Sequence, residues 1–274
     1  MATQAEKAAR FQALHEKPGA FVIPNPWDAG SAKILASLGF EALTTTSAGL
    51  AFALGKRDGA IEPAETIENA RAIAASVDLP VAGDLENGYG EGPESAAETI
   101  RLAAGAGLVG GSIEDATGDP ARPIDDLGRA AERVGAAAEA ARSLPFKFML
   151  VGRAENFLHG RPDLDDTIRR LQAYESAGAD VLYAPGLTTA EQIRAVCASV
   201  RKPVNVVMGL RSATFSVAEL AEMGVKRISV GSTLSRAAIG ALFRAGREMR
   251  ERGTFRFAED APPYADLQAL FGGR

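Results

Sequence analysis

Eight short apolar or β-branched runs, each followed by a stretch rich in Ala and Glu at helical spacing, set the strongest limit on what this chain can fold into. This alternation is the pattern of βα units and a parallel sheet. The expected strands are Phe21 to Ile23, Ala42 to Thr46, Val81 to Asp84, Leu108 to Ile113, Phe146 to Arg153, Val181 to Ala184, Val204 to Met208 and Arg227 to Val230. The expected helices are Ser31 to Leu38, Pro63 to Ala75, Gly92 to Gly105, Asp125 to Ser143, Asp165 to Gly178, Ala190 to Val200, Ser216 to Gly224 and Ser232 to Arg252. Gly105, Gly178 and Gly224 stand where left-handed helix caps are expected.

Eight such units within 274 residues match the length of a (β/α)8 TIM barrel, so residues 1–274 read as a single α/β domain of that class. A leading helix, Gln4 to Glu16, is placed to cap the closed bottom of the barrel. The competing open, doubly wound sheet would carry Gly-x-Gly-x-x-Gly after its first strand, where this chain has Pro24-Asn25-Pro26-Trp27-Asp28.

Charge and cysteine usage narrow the partners. Acidic residues outnumber basic ones, 35 to 30, and no Lys/Arg block stands out, which argues against nucleic acid. No apolar stretch approaches the roughly 20 residues that cross a bilayer. The single cysteine, Cys197, falls among Ile193 and Val196 in a helical run, reads as core, and fits a reducing compartment; cytoplasm is the expected location.

In a barrel the chemistry sits where strands end. Asp84-Leu85-Glu86-Asn87-Gly88-Tyr89-Gly90 follows the third strand, and Ser112-Ile113-Glu114-Asp115 closes the fourth. Two carboxylate pairs on neighbouring parallel strands repel each other unless a positive charge lies between them, and a hard divalent cation, Mg²⁺ or alternatively Mn²⁺, is the usual solution. Strand two ends in Thr45-Thr46-Ser47-Ala48-Gly49, a small-residue turn able to offer amides to an anion; strand five ends in Arg153 and Glu155, and strand seven offers Asn205. An ion pair without metal is the competing reading for Asp84 and Glu114 with Arg153. His15 and His159 lack metal-ligand spacing and read as surface or capping residues. Val181-Leu182-Tyr183-Ala184-Pro185 ends without a Lys, which disfavours Schiff-base chemistry, and Gly231-Ser232 suits either a phosphate cradle or a plain helix start.

With these residues in place, the chain resembles the isocitrate lyase/phosphoenolpyruvate mutase superfamily from about Phe11 to Arg252. Asn25-Pro26-Trp27-Asp28-Ala29 matches its opening turn, and Ser47-Ala48-Gly49 its substrate-carboxylate turn. Asp84-x-Glu86-Asn87-Gly88-Tyr89-Gly90 matches its metal signature, with Glu in place of the second Asp; Ile113-Glu114-Asp115 and Arg153 follow in order. The resemblance implies that Asp84 touches Mg²⁺ while Glu86, Glu114 and Asp58 hold its waters, that Arg153 grips the substrate, and that Asn205 supports a distal carboxylate. It further implies lyase chemistry on a small 2-oxo acid through a stabilised enolate, with Arg153 and Glu114 as catalytic residues.

The loop after Glu114 departs from the family. It reads Ala116-Thr117-Gly118-Asp119-Pro120-Ala121-Arg122-Pro123, without the Cys of the lyase branch or the Lys and Asn of the mutase branch. Decarboxylation or C–C cleavage of a 2-oxo dicarboxylate is therefore the leading expectation, with a 2-oxo acid binding protein or a C–P mutase or hydrolase as alternatives. The resemblance also implies a homotetramer, or a homodimer, in which the last barrel helix is swapped between subunits; Leu267, Leu270 and Phe271 in the tail are spaced to dock on a partner or on the chain's own barrel.

Overall fold

The computed structural model of the protein describes residues 2–209 and 214–272. Its eight strands are β1 (Phe21–Val22), β2 (Leu43–Thr44), β3 (Val81–Asp84), β4 (Gly110–Glu114), β5 (Met149–Arg153), β6 (Val181–Tyr183), β7 (Val204–Val207) and β8 (Arg227–Ser229). All pair in parallel, in the order β1-β8-β7-β6-β5-β4-β3-β2. The sheet curls until its outer strands approach: Thr44 N donates to the Pro24 carbonyl (3.1 Å) and Asn25 Nδ2 to the Thr45 carbonyl (2.8 Å). Asn25 Oδ1 accepts from Val230 N and Gly231 N beyond β8 (2.9 and 3.0 Å), so one side chain links both sides of the seam. The architecture is TIM-barrel-like.

The helices are α1 (Gln4–Glu16), α2 (Ala29–Ser37), α3 (Ser47–Ala53), α4 (Pro63–Ser76), α5 (Pro93–Gly105), α6 (Leu127–Arg142), α7 (Leu164–Ala177), α8 (Ala190–Ser199), α9 (Val217–Glu222), α10 (Thr233–Arg252) and α11 (Tyr264–Phe271). A short 3₁₀ turn, Arg256–Asp260, joins the last two. Most begin on a side-chain cap: Thr3, Asp28, Asp126, Asp163, Thr189 and Ser216 each accept from an amide in the first helical turn. Two apolar layers result. Helices pack on the outside of the sheet through Ile73, Ile100, Leu108, Leu171 and Tyr174, while Phe11 and Leu14 of α1 meet Ile23, Ala82, Met149 and Val181 from within. Lys7 Nζ donates to the Val77 carbonyl (2.8 Å) and Gln4 Nε2 to the Leu108 carbonyl (2.9 Å), fixing α1 as the expected plug at the strand starts.

Several sequence expectations need correction. Seven strands are shorter than their apolar runs, because ladder pairing stops where a neighbour stops; β5 begins at Met149, opposite Gly110 of β4, and leaves buried Phe148 outside it. The second unit carries an extra helix, α3, where a turn was expected, capped by Thr46 and anchored by buried Leu50 and Ala51. Gly105 is the last residue of α5 and not its left-handed cap; Gly107 takes the positive φ (98°), whereas Gly178 (110°) and Gly224 (94°) behave as expected.

His15 is buried and not at the surface. Its Nδ1 lies 2.8 Å from the Phe11 carbonyl, and Phe11 and Phe21 present ring edges to it at 4.8 and 5.0 Å. Burial, reinforced by Arg227, pushes its pKa from 6.5 down to about 3. Asp115, adjacent to the fourth-strand acid, is also structural. One oxygen accepts from Glu155 N (2.8 Å), and the other from Arg170 Nη1 (2.8 Å) and Tyr174 Oη (2.6 Å), tying the end of β4 to β5 and α7.

Asp115→Ala leaves Arg170 buried without its deepest partner; the expected loss is about 3–5 kcal/mol of unfolding free energy, read from denaturant midpoints. For His15, the folded state stays neutral between about 6.5 and about 3 while the unfolded state takes a proton, so stability falls as pH falls through that window. The stability difference between wild type and His15→Leu should therefore move against the wild type by roughly 1.4 kcal/mol per pH unit below 6, in urea titrations at pH 7, 5.5 and 4.5.

Candidate active site

Parallel pairing sets the ends of β3, β4 and β5 side by side, with Glu114 opposite Arg153 in the ladder and Arg153 opposite Tyr183. Arg153 is the hub. Its Nη1 lies 3.0 Å from Glu114 Oε2 and 3.3 Å from Asp84 Oδ1, and its Nε lies 2.6 Å from Glu155 Oε1, with the guanidinium 5.2 Å from the centre of the Tyr183 ring. Burial opposes the charge on Arg153, yet Glu114, Glu155 and Asp84 together hold its pKa well above the ordinary value. Burial pushes Glu114 well up against the pull of Arg153. Glu155 is buried too, but Arg153 and His159 hold it below the usual carboxylate range. His159 thus has a defined role at the mouth: its Nε2 lies 3.5 Å from Glu155 Oε2, which raises its pKa above 6.5.

The loop leaving β3 is held in a conformation that side chains seldom adopt. Glu86 and Tyr89 have φ of 46° and 55°, and Gly88 has 81°. A Cβ on Gly88 would stand 2.8 Å from Ala96 Cα of α5, so glycine is required there for space as well as for φ. Bonds from four directions fix the loop: Tyr89 Oη to Thr66 Oγ1 (3.0 Å), Thr99 Oγ1 to Gly88 O (2.9 Å), Asn87 Nδ2 to Ala116 O (3.0 Å), and Arg133 Nη1 to Gly90 O (2.8 Å). Arg133 Nη2 donates to Asn87 O as well.

This strain turns Glu86 inward. Its Oε1 is buried with no partner, and burial, then Asp84 and Asp58, raise its pKa to about 7. Asp58 is likewise raised, by burial and then by Asp84. Asp58, Asp84, Glu86, Glu114 and Glu155 therefore gather around the single guanidinium of Arg153, an excess of negative charge that a divalent cation would relieve. Among the described residues no three His, Cys, Asp or Glu side chains form a ready cage. Mg²⁺ keeps several waters and takes one or two carboxylates directly. The donor set, all carboxylate with one orphaned oxygen, fits such an ion.

A cavity of about 180 Å³ opens beside this cluster. Asp84, Asp58, Arg153, Ser47, Ala48 and Asn205 all line it, as sequence reasoning placed them. Glu86 and Glu114 do not line it; they stand behind Asp84 and Arg153. Gly49 lies outside it too. Its amide donates to Thr46 Oγ1 (3.2 Å) as the cap of α3, and a Cβ there would meet Thr46 Cγ2 at 2.5 Å and Trp27 Cβ at 3.0 Å, so its place is in packing. Ser47 is turned toward the acids: its N and Oγ donate to Asp84 Oδ2 (3.1 and 2.9 Å). The loop after Glu114 closes on itself through an Ala116–Ile124 bridge and a Thr117 N to Pro123 O bond (3.1 Å), and adds no residue to the cavity lining.

Sequence reasoning missed Tyr183, Ser229 and Arg227, which also line the cavity. The available signal was Arg227 itself, a charge at the start of an otherwise apolar strand.

The chain is similar to known proteins over nearly its whole length. The family described as phosphoenolpyruvate phosphomutase matches residues 11–250. A Burkholderia cenocepacia J2315 structure, provisionally described as a lyase/mutase, is 57% identical, with a TM-score of 0.97 over 98% of this chain and 97% of that one. Oxaloacetate acetylhydrolase, in complex with its product oxalate, is 26% identical with a TM-score of 0.87 over 98% and 94% of the two chains. The oxaloacetate decarboxylase of Pseudomonas fluorescens is 32% identical over 248 residues, 88% of this chain and 84% of the relative. No helix among the described residues is long and apolar enough to cross a membrane. With the likeness running through nearly its whole length, this chain belongs to the isocitrate lyase/phosphoenolpyruvate mutase superfamily and is an enzyme of lyase type.

Proposed function

We propose that this enzyme breaks a C–C bond in a small 2-oxo dicarboxylate, by decarboxylation in the first instance, with Mg²⁺ or Mn²⁺ as cofactor. The observation that carries the reading is the acid cluster around Arg153, with Asp84 and Asp58 lining a small cavity and Glu86 and Glu114 outside its lining. A bound divalent ion would supply the Lewis acid that favours enolate charge on the substrate. Asp84 would hold it directly, with Asp58, Glu86 and Glu114 receiving its waters.

The chain's own residues account for the rest. Glu114 and Glu155 pin Arg153 from two sides, so its guanidinium meets a substrate carboxylate already oriented, with little reorganisation during reaction. Ser47 holds Asp84 by two bonds and sets its free lone pairs. Tyr183 packs under the guanidinium, and Asn205 lines the cavity with its Nδ2 donating to Ser229 Oγ (3.1 Å). Decarboxylation is favoured over cleavage because carbon dioxide leaves without a proton, and the folded loop from Ala116 to Ile124 brings no Cys, Lys or His to the cavity.

We further propose that the protein works as a homotetramer or homodimer with α10 laid on a neighbouring subunit. Of its 20 residues only Ser235 is buried, while Leu242 and Phe243 are 71% and 60% exposed, more apolar surface than a helix packed on its own barrel leaves.

A screen of 2-oxo acids and phosphonopyruvate with product identification should show turnover of oxaloacetate or a close relative only with Mg²⁺ or Mn²⁺, and Asp84→Ala should lower it at least about a hundredfold. Full activity in that variant, or C–P cleavage as the main reaction, would sink the reading. In light scattering the wild type should run as an oligomer and Phe243→Asp should shift it toward monomer; a monomeric wild type removes the swap.

A further inference from the structure

The two arginines that line the cavity differ in one respect: Arg153 faces three carboxylates, and Arg227 faces none. Arg227 is only 4% exposed, and among the described residues no carboxylate lies within ion-pair distance of it. Its Nε and Nη1 are buried without a hydrogen-bond partner. What does touch it is aromatic: the guanidinium lies 5.8 Å from the centre of the Phe11 ring. Neighbouring His15 is kept neutral by burial and by Arg227, and an imidazole can supply no negative charge.

Its depth is set by the strands. Asp84 and Arg153 are the last residues of β3 and β5, whereas Arg227 is the first residue of β8, paired with Phe21 and Asn205 and backed by Phe11 of the plugging helix. The cavity therefore has a rim crowded with acids and a floor that carries an unanswered positive charge. Across the ladder Asn205 Nδ2 donates to Ser229 Oγ (3.1 Å), so it offers Arg227 no negative charge. Burying one cation without a counter-ion is costly, and an arriving anion would offset part of that cost.

We infer that Arg227 is the specificity-determining residue of this site, binding a second anionic group, a carboxylate, of a substrate whose 2-oxo end is held at the rim. The inference rests on the function proposed above and deepens it: Arg227 separates dicarboxylates from 2-oxo monocarboxylates that share the same reacting end. A monoacid would leave the guanidinium as unpaired as before, whereas a diacid held by Arg153 at the rim carries a second carboxylate into the cavity that Arg227 also lines.

Calorimetry in Mg²⁺ with three probes tests this: oxalate, which spans only the reacting end; 2-oxobutyrate, a four-carbon monoacid; and 3,3-difluorooxaloacetate, a four-carbon diacid. The wild type should bind the diacid at least about tenfold more tightly than 2-oxobutyrate. Arg227→Met should erase that preference while changing oxalate and 2-oxobutyrate by less than about twofold, and Arg227→Lys, which keeps the charge, should retain part of it. Equal wild-type affinity for diacid and monoacid, or an Arg227→Met variant that weakens all three probes alike, overturns the inference; the first of these stands even if Arg227→Met does not fold. A wild type that binds none of the three overturns the proposed function itself, and the role of Arg227 with it.

Discussion

The contact on which the site depends is the meeting of Arg153 with Asp84, Glu114 and Glu155. Three parallel strands end within a few ångströms of one another, and each delivers an acid or follows one. Without a cation among them these carboxylates would repel, and burial would drive them toward the neutral form, as it does for Glu86 and Glu114. One guanidinium supports several of them but does not neutralise all, and the residual negative charge is what gives the cluster an appetite for a divalent ion.

Keeping such a cluster rigid requires structure that takes no part in it. The backbone from Glu86 to Tyr89 runs through left-handed conformations, so it persists only because Thr66, Thr99, Arg133 and the Ala116 carbonyl hold it from α4, α5, α6 and the following loop. Asp115 does the same work one layer down, joining β4, β5 and α7 through Glu155 N, Arg170 and Tyr174. The acids at the rim are therefore presented at fixed positions, which is how oriented charge stabilises a reacting group without moving to do so. Arg227 extends the same logic to the floor, where a buried charge is left open for a ligand.

Much of this was legible in the chain before any coordinates. The alternation of apolar runs with helical stretches located every strand and its order, because side-chain periodicity follows from local backbone geometry. Asp84, Arg153, Ser47, Ala48 and Asn205 fall at one cavity because barrel topology sends all strand ends to one face, while Asp58, between α3 and α4, was legible only through the family resemblance. The errors share a cause. Gly49 reads in the sequence as part of an open turn, but its amide is bound to Thr46 at the start of a helix; His15 reads as a surface or capping residue, but Phe11 and Phe21 enclose it. Each depends on what stands opposite in space, which neighbours in sequence do not reveal.

The sequence by itself determined the fold class, the number and chain order of the strands and the set of acids with their arginine, since these rest on periodicity and on residue types at fixed chain positions. Only the tertiary structure decided which acids face the cavity and which stand behind them, that Asp115 ties strands together, and that Arg227 lies buried without a counter-charge. The reason is physical: local patterning dictates where a side chain starts, while burial and electrostatic partners are properties of the space it ends in, assembled from strands up to 205 residues apart, as the Asn25–Val230 bond shows.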